Sequence, residues 1–172
     1  RPRGRTLIVD RSKLADHARL QPSLCNDVLK FVAPILAEAA WAEGDFSLEL
    51  DTVNLPLDDP SKGNCAGRLR VHSVAVGPGP LMQVLREVLR LPERIELADE
   101  AVVEFELRNE RVYHRGLAFG PPIMRSEMSG SVGLDETLDL HVRMPIPAEL
   151  LNAGKLRESL AGQKIPLHIV GT

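Results

Sequence analysis

The sequence predicts an α+β fold in which a long curved, mainly antiparallel sheet of about six to eight strands packs on two to three amphipathic helices. Three observations lead there. Alternating β-type runs follow one another after residue 100 with only short turns between them, which favours antiparallel pairing. Two earlier runs alternate and then change phase, as strands do at a bulge that bends the sheet. Apolar residues three and four apart supply the helices.

Taken in order, Arg5 to Val9 is a short β-type run leading into a polar connection through Pro22. From Asn26, the residues Val28, Leu29, Val32, Ile35, Leu36 and Ala39 share one helical face, and the helix is expected to end near Gly44. Pro34 lacks an amide proton and is expected to kink that helix or divide it, while Trp41 anchors packing near its end. Asp45 to Leu57 alternates through Phe46, Leu48 and Leu50, then switches to Val53, Leu55 and Leu57, placing a bulge near Asp51 or Thr52. Asp58 to Gly63 is a turn cluster, and the following strand runs through Leu69 and Val71 before changing phase at Val74 and Val76. These two strands read as a bent hairpin. Gly77 to Pro80 then punctuates the chain before a helix with a stripe of Leu81, Met82, Leu85, Val88 and Leu89.

The meander begins with Ala101, Val103, Phe105 and Leu107 alternating against Glu104, Glu106 and Arg108. Asn109 and Glu110 turn the chain into a strand from Arg111 to Phe119, and Gly120 to Pro122 separate it from another at Ile123 to Leu134. Asp135 and Glu136 turn it back into Leu138, Leu140, Val142 and Met144. Pro147 suits the start of a helix carrying Leu150, Leu151, Leu156 and Leu160, closed at Gly162, and Ile165 to Val170 is a last strand. No repeat or charged linker divides these elements, so residues 1–172 are expected to be a single domain, excised from a larger protein.

Composition narrows the function. A formal charge of -3 with interspersed signs does not supply the basic surface that a phosphate backbone needs, so no nucleic-acid partner is expected. No apolar run approaches the roughly 20 residues that span a bilayer as a helix. Only 3% of residues are aromatic, so the core is aliphatic. Cys25 and Cys65 have no ligand-type spacing and are too few for a disulfide framework; they form one bond or none.

Catalytic patterns are equally thin. Of His17, His72, His114, His141 and His168, the last two occupy polar positions of strands and are candidate neighbours, but no His-x-x-x-His or cysteine pair accompanies them, so no metal is expected. His114, beside Tyr113, reads as a packed or edge histidine. Gly130-Ser131-Val132-Gly133 lies inside a strand and lacks the strand-to-helix turn of a nucleophile elbow. Gly77-Pro78-Gly79-Pro80 has neither the lysine nor the amides of a phosphate loop. Glu104 and Glu106 share a strand face, where alternating charges are commonplace. The expectation is a chain without enzymatic activity or cofactor.

What remains is the apolar face formed by Val103, Phe105, Leu107, Val132, Leu138, Leu140 and Val142, first of all core residues and together the candidate lipid contacts. The stretch Val112-Tyr113-His114-Arg115-Gly116-Leu117, then Gly130-Ser131-Val132-Gly133-Leu134, Leu138-Asp139-Leu140, Pro145 and Ile169-Val170-Gly171-Thr172 resembles the C-terminal region of AsmA-like proteins. The upstream Leu29 to Pro34 and Leu55-Pro56-Leu57 suit the segment that precedes it. This resemblance, shared with TamB-type and bridge-like lipid-transfer proteins, implies an apolar β-trough that binds or guides lipid acyl chains and contributes to lipid transport or outer-membrane homeostasis. It also implies a periplasmic or envelope location, with membrane contact and anchoring through segments outside this chain, and brings no catalytic residues. The alternative expectation is a structural or interaction module that pairs exposed sheet edges with flanking segments of the same protein or with another envelope protein.

Overall fold

The computed structural model describes residues 5–89, 92–146 and 163–172. It is mostly antiparallel sheet. The strands in chain order are β1 (Thr6–Val9), β2 (Ser12–Arg19), β3 (Ala42–Glu43), β4 (Asp45–Pro56), β5 (Asn64–Val71), β6 (Ala75–Val76), β7 (Ile95–Glu96), β8 (Val102–Arg108), β9 (Arg111–Phe119), β10 (Ser126–Gly133), β11 (Leu138–Pro145) and β12 (Lys164–Gly171). Nine of them form one sheet in the order β1-β4-β5-β8-β9-β10-β11-β12, with β2 also paired to β4. The count exceeds the six to eight expected because the first edge is shared: β1 pairs with residues 53–56 of β4, and β2 with residues 45–50. β3, β6 and β7 make a small second sheet.

The bulge expected in β4 is present, with the β4–β5 register shifting between Leu50 and Thr52. One extra residue there returns Val53 to the face that Phe46, Leu48 and Leu50 occupy. The phase change at Val74 has another cause. β5 ends at Val71, and Ala75–Val76 leaves the large sheet to become the centre of the small one. A second bulge falls between Met128 and Gly130 of β10. Gly130 has φ +144°, and a Cβ on it would stand 2.2 Å from the Asp139 carbonyl oxygen, so the close approach of β11 requires glycine.

β2 is the strand that alternation misses. Its register against β4 shifts between Lys13 and Ala15 and again between Ala15 and Ala18, and His17 takes φ +46°. Repeated bulging on an edge erases the period-two pattern that a sequence reader counts.

The helical share is small. The first expected helix resolves into a turn of α-helix, α1 (Pro22–Leu24), a π turn at Cys25–Leu29, and α2 (Lys30–Val32). Ala33 leaves helical geometry, and Pro34–Leu36 forms a 3-10 turn, the division that Pro34 foretells. Trp41 therefore lies before β3 and not on a helix; it packs against Gly77, and the Arg94 guanidinium sits 5.2 Å over its ring. The longer helix, α3 (Pro80–Leu89), buries Met82 and Leu85 and exposes Val84, as the stripe requires. The helix expected at Pro147 to Gly162 lies outside the described residues.

The core forms where these pieces meet one face of the large sheet. Leu29, Val32, Ile35 and Leu36 from the helical turns, Val76 and Ile95 from the small sheet, and Met82 and Leu85 from α3 meet Leu69, Val71, Val103, Leu117, Phe119, Met128, Leu140 and Val142. α2 lies across β9 and β10. All these side chains are essentially buried, each contributing about 1.5–3 kcal/mol relative to full exposure.

Candidate functional site

The seven apolar positions singled out in the sequence do share the core face, but not one environment. Val103, Val132, Leu140 and Val142 are buried, while Phe105, Leu107 and Leu138 are half-buried and packed at the margin of the core. The turns between residues 25 and 36, the small sheet and α3 occupy the middle of the face, so it is not an open trough along its length. Phe105 lies over Gly67, where a Cβ would come within 2.7 Å of its ring.

An opening persists at one end. Between the helical turns, the start of α3 and the β10–β11 turn lies a cleft of about 490 Å³, lined by Phe31, Pro34, Pro80, Leu81, Val132 and Leu138. That volume is within the range of small-molecule sites, about 300–1,000 Å³. Lys30 and Glu136 also border it and close an ion pair at 2.6 Å, joining the helical layer to the turn between the strands. A larger concavity, about 730 Å³, sits on the opposite, polar face of the sheet between Asp51, Arg68, Glu104, Glu106, Arg108 and Tyr113. Its charged side chains are paired or stacked: Arg68 binds Asp51 at 2.7 Å, Glu104 pairs with Arg115, and the Arg108 guanidinium covers the Tyr113 ring, while Ala66, Gly67 and Phe105 also line it. Glu104 and Glu106 are thus part of a field of ion pairs.

The histidines are more organised than their spacing suggests. His141 and His168 stand directly opposite each other in the β11–β12 register, the neighbourhood that their polar positions anticipate. Their rings stack at 4.4 Å, and His168 Nε2 lies 2.7 Å from Asp139 Oδ1. His114 is buried with neither ring nitrogen hydrogen-bonded among the described residues, and burial pushes its pKa down to about 4. It is a packed histidine.

The second pair was not legible. His17, on the unpredicted strand β2, stacks on His72 at 3.8 Å. Beneath them Ser47 Oγ is 2.8 Å from His72 Nε2, and His72 Nδ1 is 2.9 Å from Glu100 Oε1, the order of a nucleophile, base and orienting acid. Contact with His72 holds the Glu100 carboxyl below its usual range. Yet Ser47 is only 6% exposed, lies inside a strand, receives the His17 backbone N–H at 3.1 Å, and is 3.2 Å from Asp16 Oδ1. Enclosed by these contacts, Ser47 centres a polar network, with Asp16, His17 and Glu100 at its exposed margin, that ties β2 to β4 and to the residue after β5. Cys25 and Cys65 are free thiols. Both thiols are pushed up by burial, away from nucleophilic character.

No helix among the described residues is long and apolar enough to cross a membrane. No protein-family model, curated protein or solved structure matches the chain.

Proposed function

We propose that the chain is a non-catalytic lipid-handling module that receives acyl chains against the core face of its sheet. The observation that carries the reading is the cleft between the helical turns and β10–β11, where Phe31, Pro34, Leu81, Val132 and Leu138 offer an apolar lining at the mouth of an otherwise filled core. Each methylene moved from water into such a lining contributes about 0.8 kcal/mol without directional chemistry. Association then follows when enough of the chain enters to offset the ordering cost of about 4–15 kcal/mol. In this proposal the bulged sheet is curved around two to three helices, which act as a movable cover.

The likeness to AsmA-like C-terminal regions supports the same class of activity and gives it a setting. That setting is a periplasmic or envelope protein, anchored by a segment outside this chain, contributing to lipid transport or outer-membrane homeostasis. A second reading, an interaction module, has its own support in the two outer strands. Ile8 on β1 is 70% exposed and Val170 on β12 is 67% exposed, apolar side chains on strands that have one edge unpaired among the described residues.

The test is lipid extraction and mass spectrometry of the purified chain, followed by titration with a fluorescent fatty acid. Bound lipid is expected in the parent protein. Leu81→Glu and Leu138→Glu, at half-buried positions and each checked for retained fold by circular dichroism, are expected to lower fatty-acid affinity by about tenfold or more, since a carboxylate costs well over 1.4 kcal/mol in an apolar lining. Absence of co-purifying or exchangeable lipid would refute the reading in favour of the edge-pairing module.

A further inference from the structure

We propose that Asp139, His141 and His168 form a binding site for a divalent transition-metal ion on the polar face of β11 and β12. The site follows from register. His141 and His168 are cross-strand partners, and Asp139, two residues from His141 on the same face, is diagonal to His168. His168 Nε2 is 2.7 Å from Asp139 Oδ1 and His141 Nε2 is 3.8 Å from the same oxygen. One donor atom from each of the three side chains lies within 4.8 Å of the others, the one grouping of this kind among the described residues.

Metal–nitrogen and metal–oxygen bonds of about 2.0–2.2 Å place two tetrahedral ligands of one ion about 3.3–3.6 Å apart. The two distances at the carboxylate, 2.7 and 3.8 Å, lie on either side of that range. Both Nε2 atoms face Asp139 Oδ1, and an ion between them requires the parallel, stacked rings to rotate until their in-plane lone pairs converge. Two imidazoles and one carboxylate suit Zn²⁺, Ni²⁺ or Cu²⁺ and not the all-oxygen shells of Mg²⁺ or Ca²⁺. Three protein ligands leave coordination positions for water or an exogenous donor.

Arg111 is engaged by Ser131 and Thr137, leaving the Asp139 carboxylate to the histidines. All three side chains are about half exposed, so an ion reaches them from solvent without opening the fold. Because His168 is on the outermost strand, a bound ion would fasten that edge to β11 through side chains. The apolar cleft opens on the other face of the sheet, so the two proposals fail or stand separately.

The test uses the tag-free chain, titrated with Zn²⁺ by calorimetry and with Co²⁺ by visible absorption. One equivalent is expected, with ligand-field bands for Co²⁺ and slower amide exchange along Lys164–Gly171 when Zn²⁺ is present. His141→Ala and His168→Ala are each expected to weaken binding by about tenfold or more, and His17→Ala to leave it unchanged. No one-to-one uptake, or uptake that both variants retain in full, overturns the proposal.

Discussion

Replacing His114 by leucine is expected to remove an acid-sensitive term from the stability of the fold. His114 stands in β9 with Val112 on the core face, between Phe105 of β8 and Gly130 of β10, and is 4% exposed. Burial holds its pKa at about 4 against an ordinary 6.5. Above pH 6.5 the imidazole is neutral in both the folded and unfolded chain, and the group contributes nothing to the pH dependence. As the pH falls below 6.5 the unfolded chain takes up a proton that the folded chain refuses, so stability declines until about pH 4, where both forms are protonated. The gap corresponds to roughly 3 kcal/mol in full, and to about 2 kcal/mol at pH 5, using about 1.36 kcal/mol per pH unit.

Urea unfolding at pH 7 and pH 5 measures this directly. The parent protein is expected to lose about 2 kcal/mol more between those values than His114→Leu does, whatever the carboxylates contribute to both. The variant is also expected to be more stable at pH 7, because an unsatisfied buried polar atom costs about 1–3 kcal/mol and leucine carries none. Parallel losses in the two proteins would refute the claim that His114 is buried neutral and unpartnered.

Two further substitutions probe the architecture. Gly130→Ala is expected to destabilise by about 1–3 kcal/mol or more and lower the melting temperature, since φ +144° and the Asp139 carbonyl leave no room for a Cβ. An unchanged melting temperature would mean that the bulge is absent. Leu85→Ala in α3 is expected to cost about 2–5 kcal/mol by chemical denaturation, because Leu85 is fully buried where the helix meets the core; a loss near zero would detach α3 from the sheet.

Much of the sheet was legible because its information is local. The phase switch after Leu50 marked a bulge in the right place, and Asn109 and Glu110 turned the chain with φ +49° and +59°, a geometry that short polar hairpin residues accommodate. Alternation marked His141 and His168 as polar strand positions and so as candidate neighbours, and the β11–β12 register sets them opposite each other. The first helix was overread: its three-and-four spacing is real, and Leu29, Val32, Ile35 and Leu36 are indeed buried, but the π turn and Pro34 meet that requirement with broken helical pieces. Spacing reports which side chains face the core. It does not report whether one continuous helix presents them.

The candidate site divides along the same line. Period-two alternation by itself determined that Val103, Phe105 and Leu107 share one face of their strand and that Leu138, Leu140 and Val142 share one face of theirs, because successive side chains of a strand must point to opposite sides. Only the tertiary structure decided that Val103, Val132, Leu140 and Val142 are sealed and that the cleft survives beside Val132 and Leu138, because the covering pieces come from chain far away in sequence. Ser47, His72 and Glu100 make the point again: 25 and 28 residues separate the successive members, no local pattern links them, and β4, the end of β5 and the loop before β8 must all be in place before they touch.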